Sequence, residues 1–327
     1  MSGSPPVREF KWEKLGLTFA LDSLDRPLWM NAYAQAPSTL ILEDRLRIYF
    51  STRPPQDESG QFVSYTGFAD FDLEDPTKLI GISPSPVISL GDRGAFDEFG
   101  TYPWSAIWHE GKVRAYYGGW TRPKSVPFNV AIGVAESANG GESFSRIGRG
   151  GPVLSYSQNE PFVVSGPKIR KFGDIFFLYY IAGKQWIRNG KRLDPIYRIR
   201  GATSRDGITW SLMDKDLVSS RIPSEAQASP DVFEFEGRYH MIFCYRYGED
   251  FHSAQRGYRL GYASSEDLIN WERNDAVVGL GVSDDGFDSE TISYPHFFSA
   301  GGQAYLAYLG NNFGRAGFGL ARLEAFK

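Results

Sequence analysis

Five segments of this chain share one pattern: a proline, four to six mostly apolar residues, a short polar or glycine turn, then an aromatic-rich apolar run. They read APSTLILEDRLRIYFSTR from Ala36, YPWSAIWHEGKVRAYYGGWTR from Tyr102, GPKIRKFGDIFFLYYIAGK from Gly166, SPDVFEFEGRYHMIFCYR from Ser229 and YPHFFSAGGQAYLAYLGNN from Tyr294. The prolines are Pro37, Pro103, Pro167, Pro230 and Pro295, spaced 66, 64, 63 and 65 residues apart. A period this long and this constant is the signature of a repeat architecture, and it limits the fold more than any composition can. Each copy reads as a β-hairpin, because apolar alternation flanks turns such as Glu-Gly, Phe-Gly-Asp and Gly-Gly.

A second motif follows at the same period: YTGFADFD, IGVAES, RGATSRDGITW, LGYASSEDLINW and FGLARLE. Its glycines are Gly67, Gly133, Gly201, Gly261 and Gly319, and each marks a third strand running into a polar turn. No segment keeps a 3.6-residue apolar period over helical length. Three or four strands per unit, five times over, predict an all-β fold: a five-bladed β-propeller in a single domain. The fifth unit stops after its third strand, so FKWEKLGLTFAL near the N-terminus is expected to supply the missing outer strand and cover the edge. The expected boundaries are a disordered tail at residues 1–7 and the propeller at 8–327.

Composition removes several alternatives. Among 327 residues, 35 Lys and Arg stand against 39 Asp and Glu, a net charge of −4, so no basic footprint for nucleic acid is expected. No apolar run reaches the length of a membrane span, and MSGSPPVREFKWEKLG has no apolar core of a secretory leader. The single cysteine, Cys244, rules out an internal disulfide and any cysteine-rich metal site. The expectation is a soluble cytoplasmic protein with no cofactor, no metal, no nucleic-acid partner and no membrane association. Aromatic residues reach 15%, which suits both a β core and the apolar faces of sugar rings.

Five blades opening on proline-led inner strands resemble the five-bladed propeller glycosidases, glycoside hydrolase families 43, 32 and 130. RPLWMNAYAQAP, from Arg26 to Pro37, is similar to the family 32 opening W-M-N-D-P-N-G, and SRDGITW, from Ser204 to Trp210, looks like the recurrent S-x-D-G-x-x-W turn of these blades. The resemblance implies a carbohydrate-active enzyme with carboxylates at fixed points. With the prolines aligned, however, the three expected acids fall on Ala36, Gly166 and Ala228. The fold carries over and the triad does not.

Propeller geometry narrows the search for replacements, because residues just before each proline and residues 16 to 19 after it return to one mouth of the ring. Glu98, Glu225 and Glu290 each stand five residues before a proline, with Asp97 and Asp288 beside two of them. Two carboxylates across a channel are the minimum kit for breaking a glycosidic bond. Glu225 is the expected general acid, with Glu290 and Glu98 as base or substrate anchor; a repeated blade-structural role is the competing reading. After the prolines come Arg53, Arg122, Lys184 and Arg246, with Asn311 and Asn312 in the fifth blade. These cations either bridge to the acids or form an anion site for phosphate. Asp97, Tyr102, Trp104, Asp231 and His296 complete the set of candidate substrate-binding residues.

Two classes of function follow. One is an enzyme acting on a small or phosphorylated saccharide at the channel mouth, as glycoside hydrolase, phosphorylase or transferase, with inorganic phosphate as a candidate co-substrate. The other is a non-catalytic sugar-binding or partner-binding propeller that has lost its triad.

Overall fold

The computed structural model describes residues 8–58 and 60–327. The segment 1–7, expected to be a disordered tail, lies outside the described residues. The chain enters with β1 (Phe10–Ala20) and lays down blade 1 as β2 (Ala32–Ile41), β3 (Arg45–Arg53), β4 (Tyr65–Asp72) and β5 (Leu79–Ile82). Blade 2 is β6 (Thr101–His109), β7 (Lys112–Thr121), β8 (Asn129–Ser137) and β9 (Ser145–Arg146). Blade 3 is β10 (Ser165–Phe172), β11 (Ile175–Asn189), β12 (Arg192–Ser204) and β13 (Ser211–Leu212). Blade 4 is β14 (Ala226–Phe235), β15 (Arg238–Arg246), β16 (Arg259–Ser265) and β17 (Glu272–Arg273). Blade 5 is β18 (Ser293–Ala300), β19 (Gln303–Leu309) and β20 (Gly317–Phe326), with β1 paired antiparallel on the outer edge of β20. The first strands touch in succession, and β18 meets β2 to close the ring. The all-β, five-bladed propeller read from the repeat is the observed fold.

Two repeated devices hold the blades together. Along the second strands, the buried hydroxyls of Tyr49, Tyr116 and Tyr179 donate to carbonyls in the following blade: Gly141 at 2.7 Å, Gly207 at 2.8 Å and Leu268 at 3.2 Å. Each bond satisfies a buried phenol and is worth about 1 kcal/mol. The receiving turns are stiffened from within. In SRDGITW, for instance, Asp206 accepts the backbone N–H groups of Ile208 and Thr209 at 2.8 and 2.7 Å. That motif is therefore a rim turn, far from the ring axis in its chemistry.

The second device explains the third-strand glycines. A Cβ on Gly67 would lie 2.7 Å from Trp29, on Gly133 2.5 Å from Phe96, and on Gly319 2.4 Å from Phe287. At these three positions the glycine makes room for a ring carried by the segment that leads into the blade, whereas Gly201 makes room for Met213 and Gly261 for Phe243 of its own blade.

Before the prolines the first strands bulge. Ala36, Gly166, Ser229 and Tyr294 take φ of 53°, 66°, 50° and 51°, and blade 2 has a cis Tyr102–Pro103 bond at this point. A bulge re-aims the residues on either side of it. It therefore separates what the blade uses for its own structure from what it turns toward the axis.

Candidate functional site

The acids before the prolines belong to the blades. Asp97 is fully buried, accepts from the Tyr117 hydroxyl at 3.0 Å and pairs with Arg146 of β9 at 2.6 Å. Glu160 is buried, accepts from the Tyr180 hydroxyl at 2.8 and 3.0 Å and faces Arg200 at 3.6 Å. Asp288 accepts from Tyr308 at 3.1 Å and pairs with Lys14 of β1 at 2.7 Å. Glu225 follows the same plan: it is fully buried, and Arg273 of β17 lies 2.6 Å away. Blade 4 carries Phe243 where these three blades carry tyrosine, and the Gln227 amide donates to Glu225 instead at 2.7 Å. The other Glu225 oxygen accepts the backbone N–H groups of Arg221 and Ile222 at 2.9 and 3.3 Å. A carboxylate so occupied cannot reach a glycosidic oxygen, so Glu225 locks first strand to outer strand and is not placed to act as general acid.

The three glutamates expected to share a pocket have unlike surroundings. Glu98 is half-buried and accepts the Gly94 N–H at 2.9 Å. Glu290 is exposed; its backbone N–H is held by Asn311 at 2.8 Å and its carbonyl by Arg259 at 2.9 Å. Its carboxylate makes no hydrogen bond or ion pair among the described residues.

The expected cations divide in two. Arg122 pairs with Asp57 at 3.4 Å and Lys184 with Asp216 at 2.9 Å, neither with a pre-proline acid. Arg53 and Arg246 pair with no carboxylate among the described residues. Arg246 is 2% exposed. It donates to the carbonyls of Pro195 and Tyr247, both at 2.9 Å, and to the Tyr258 hydroxyl at 3.3 Å, with the Phe251 ring 3.7 Å from its guanidinium carbon. Arg53 is half-buried beside the Tyr33 ring and reaches Gln35 at 3.4 Å.

On one side of the mouth a chain of rings runs from Arg246 as far as Tyr102, and on the other contacts join the two arginines. On one side the Tyr102 and Tyr294 rings lie 6.3 Å apart, Tyr294 and Tyr258 5.9 Å apart, and Tyr258 meets both Arg246 and the Tyr197 hydroxyl, the latter at 2.6 Å. On the other side Gln35 donates to the Phe313 carbonyl at 2.8 Å, and Phe313 packs on Phe251. Burial raises the Tyr102, Tyr258 and Tyr294 hydroxyls well above the ordinary phenol range, so they remain neutral hydrogen-bonding groups. The result is an aromatic lip with two cations. Ala36, Gly166 and Ala228 stand beside it where the resemblance places acids.

One residue past the prolines, three blades meet across the axis. His296 accepts the Thr39 N–H on Nε2 at 2.9 Å, which puts the proton of a neutral ring on Nδ1, facing Lys168 Nζ at 3.1 Å and Asp231 at 3.3 Å. Asp231 also pairs with Arg170 at 2.6 Å. Burial pushes Lys168 down to about 8 and His296 down to about 4. Burial opposes ionisation of Asp231, but Arg170, His296 and Lys168 outweigh it and hold the carboxyl low. His296 and Asp231 thus form a sealed floor and are not open substrate contacts. Trp104 is core, 1% exposed and stacked on Tyr117. Asn311 clips its own loop, and Asn312 is exposed at φ 54°.

Sequence reasoning missed Tyr294, Lys168 and the Tyr197–Tyr258 pair. Two of these were within reach: Tyr294 repeats the Tyr-Pro step of Tyr102, and Lys168 occupies the same post-proline position as Asp231 and His296. Tyr197 and Tyr258 lie off the repeat and carry no such signal. Among the described residues no group of three or more His, Cys, Asp or Glu side chains is placed to hold a metal, and no helix is long and apolar enough to cross a membrane.

The fold is a five-bladed propeller, the architecture of solved glycoside hydrolases and of the family 130 glycoside hydrolases and phosphorylases. A solved glycoside hydrolase superposes with a TM-score of 0.73 at 16% identity, over 96% of this chain and 92% of its own. The same fold recurs among family 43, family 32 and family 130 structures. The chain belongs to the family of Uncharacterized protein Rv1502 of Mycobacterium tuberculosis (strain ATCC 25618 / H37Rv), being 35% identical over 320 residues, 96% of this chain and 99% of that one. A shorter stretch is 27% identical over 128 residues to Beta-1,2-mannobiose phosphorylase of Thermoanaerobacter sp. (strain X514), covering 37% of this chain and 41% of that protein. No family model matches.

Proposed function

We propose that the protein cleaves a mannoside-type glycosidic bond with inorganic phosphate at the mouth of the ring. The observation that carries this reading is the pair of cations, Arg53 and Arg246, with no carboxylate partner among the described residues, beside the acid-free positions Ala36, Gly166 and Ala228. A phosphate dianion arrives already nucleophilic and needs positive charge where water would need a base. The local likeness to a mannobiose phosphorylase supports the same reading.

In the proposed step a phosphate oxygen held at Arg53, with the charge of Arg246 behind the Tyr258 hydroxyl, attacks the anomeric carbon. The carbon–oxygen bond to the leaving sugar breaks, and the proton of the attacking hydrogen phosphate passes to the departing oxygen, relayed by the Glu290 carboxylate. The products are a sugar 1-phosphate and a shortened saccharide. Neutral tyrosines along the lip bind sugar hydroxyls without competing for the cations. The test is incubation with β-1,2-linked mannobiose with and without inorganic phosphate. Mannose 1-phosphate formed only with phosphate supports the proposal; free mannose formed at equal rate in both overturns phosphorolysis in favour of hydrolysis.

The locked state of Glu225 favours the second reading, a sugar-binding propeller without turnover. Saturable mannobiose binding with no product in either condition selects it.

A further inference from the structure

Four of the second strands end at comparable points: β3 at Arg53, β7 at Thr121, β15 at Arg246 and β19 at Leu309. The fifth, β11, runs on past Gly183 to Asn189, and β12 begins correspondingly early at Arg192. Beyond the common level this hairpin adds about 20 Å of paired strand at 3.3 Å per residue. Its register is continuous from Gln185 with Ile196 to Asn189 with Arg192.

The overhang is braced from both sides. Trp186 packs on Phe128 and Phe162 at 5.4 and 6.1 Å, toward blade 2. Asn189 donates to the Gly248 carbonyl of blade 4 at 3.0 Å and to Asp194 at 2.8 Å. Its base is part of the mouth, because Pro195 accepts from Arg246 and Tyr197 bonds to Tyr258.

The charge on this arm runs against that of the chain. The protein carries a net −4, yet residues 184–193 hold Lys184, Arg188, Lys191 and Arg192 and no acid. Lys184 is paired with Asp216, and Arg192 stands 3.8 Å from the buried Asp194. Arg188 and Lys191 are exposed and have no partner among the described residues. Folding does not need them there, and a braced hairpin presents them at fixed positions beside the reacting end of the site.

We infer that the β11–β12 hairpin is an extended subsite for an anionic glycan, one whose residues beyond the reacting sugar carry phosphate or carboxylate groups. This rests on the proposed action at the mouth for its placement and names the substrate class of that same site. Trp186, half-buried at the hairpin base, gives the chain an apolar face to lie along, and Arg188 and Lys191 take its charges.

The experiment uses the full chain, with mannopentaose in neutral, 6-phosphorylated and terminally uronosylated forms, followed by calorimetry at 50 and 300 mM salt. The expected result is at least tenfold tighter binding of one or both anionic forms, a preference that shrinks at high salt, and at least fivefold of it lost in the Arg188→Gln/Lys191→Gln double variant. The anionic arm that binds tighter identifies phosphate or carboxylate as the ligand chemistry. Mannobiose turnover is expected to be unchanged in the variant, since neither residue touches the mouth. Equal affinity for neutral and anionic forms, or a preference that survives the double substitution, overturns the inference. So does equally tight binding of a single-stranded DNA oligomer of the same charge. Charge-selective binding without turnover of any mannoside would instead sink the proposed reaction and leave the subsite standing.

Discussion

The pre-proline acids and the mouth arginines are two sets of charges drawn from the same repeat, and they are treated in opposite ways. Asp97, Glu160, Glu225 and Asp288 are buried against a cation from their own sheet or its completing strand, and each accepts a further hydrogen bond from a tyrosine hydroxyl or, for Glu225, from an amide and two backbone N–H groups. Arg53 and Arg246 sit among rings, hydroxyls and carbonyls with no acid among the described residues to answer them. The first set recurs in blades 2 to 5 because each has the same problem, how to fix a first strand to an outer one. The second set breaks the pattern, since two of the five second strands end on a cation left without an acid among the described residues. Repetition in such a ring marks architecture, and departure from it marks the place where the ring does something.

The largest expected effect tests the architectural half. Glu225→Ala takes one of two carboxylates from the buried Arg273 guanidinium, which keeps Asp275 at 2.9 Å, and strands the Gln227 amide, a loss of about 2–3 kcal/mol. Urea denaturation should show that loss, while Glu290→Ala should stay within about 0.5 kcal/mol of the parent. If the two variants destabilise equally, the contrast between lock and mouth is lost.

Next comes the mouth. Arg53→Met should reduce phosphate-dependent kcat/KM about a hundredfold, roughly 2.7 kcal/mol of transition-state binding, with stability nearly unchanged. It should also abolish the rise in Tm that phosphate gives the parent, a rise expected because ligand binding to the native state stabilises it. A parent protein whose Tm ignores phosphate at matched ionic strength would remove the anion from the mouth.

The floor offers a smaller, pH-dependent test. Lys168 holds its proton only up to about pH 8 in the folded protein, against an ordinary value near 10.5. Between those limits the unfolded chain binds a proton that the folded chain does not, so stability should rise with pH across this window. Lys168→Met should flatten that rise. His296 works at the other end: its value of about 4 means that stability falls as pH drops from about 6.5 toward 4.

The smallest effect separates two tyrosines of like chemistry. Tyr308→Phe removes a buried bond to Asp288 and should cost about 1 kcal/mol. Tyr294→Phe, in the lip, should cost less stability and raise KM for mannobiose. Reversed outcomes would place the lip in the structural set.

The repeat was open to reading because its causes are local. A hairpin needs alternation around a turn, and both requirements lie within about 20 residues of one another; Pro37, Pro103, Pro167, Pro230 and Pro295 record them five times. The closing strand could be read as well, since an unpaired edge on the last blade demanded one and β1 alone was spare. Even the offset of Glu98, Glu225 and Glu290 was legible. Its meaning was not, because one offset serves an anchor and an acid alike until the partner is known. Arg273 lies 48 residues beyond Glu225, and only the closing of blade 4 brings them to 2.6 Å. The same holds for Tyr197 with Tyr258 and for Lys168 with His296 and Asp231, which come from different blades and meet only at the axis. Sequence alone thus determined the number of blades, the hairpins and the strand that completes the last blade. Which of the polar residues are spent on the blades and which remain free for a ligand was decided by tertiary structure, because a charge's role depends on its nearest neighbours in space, and around a closed ring those are rarely its neighbours along the chain.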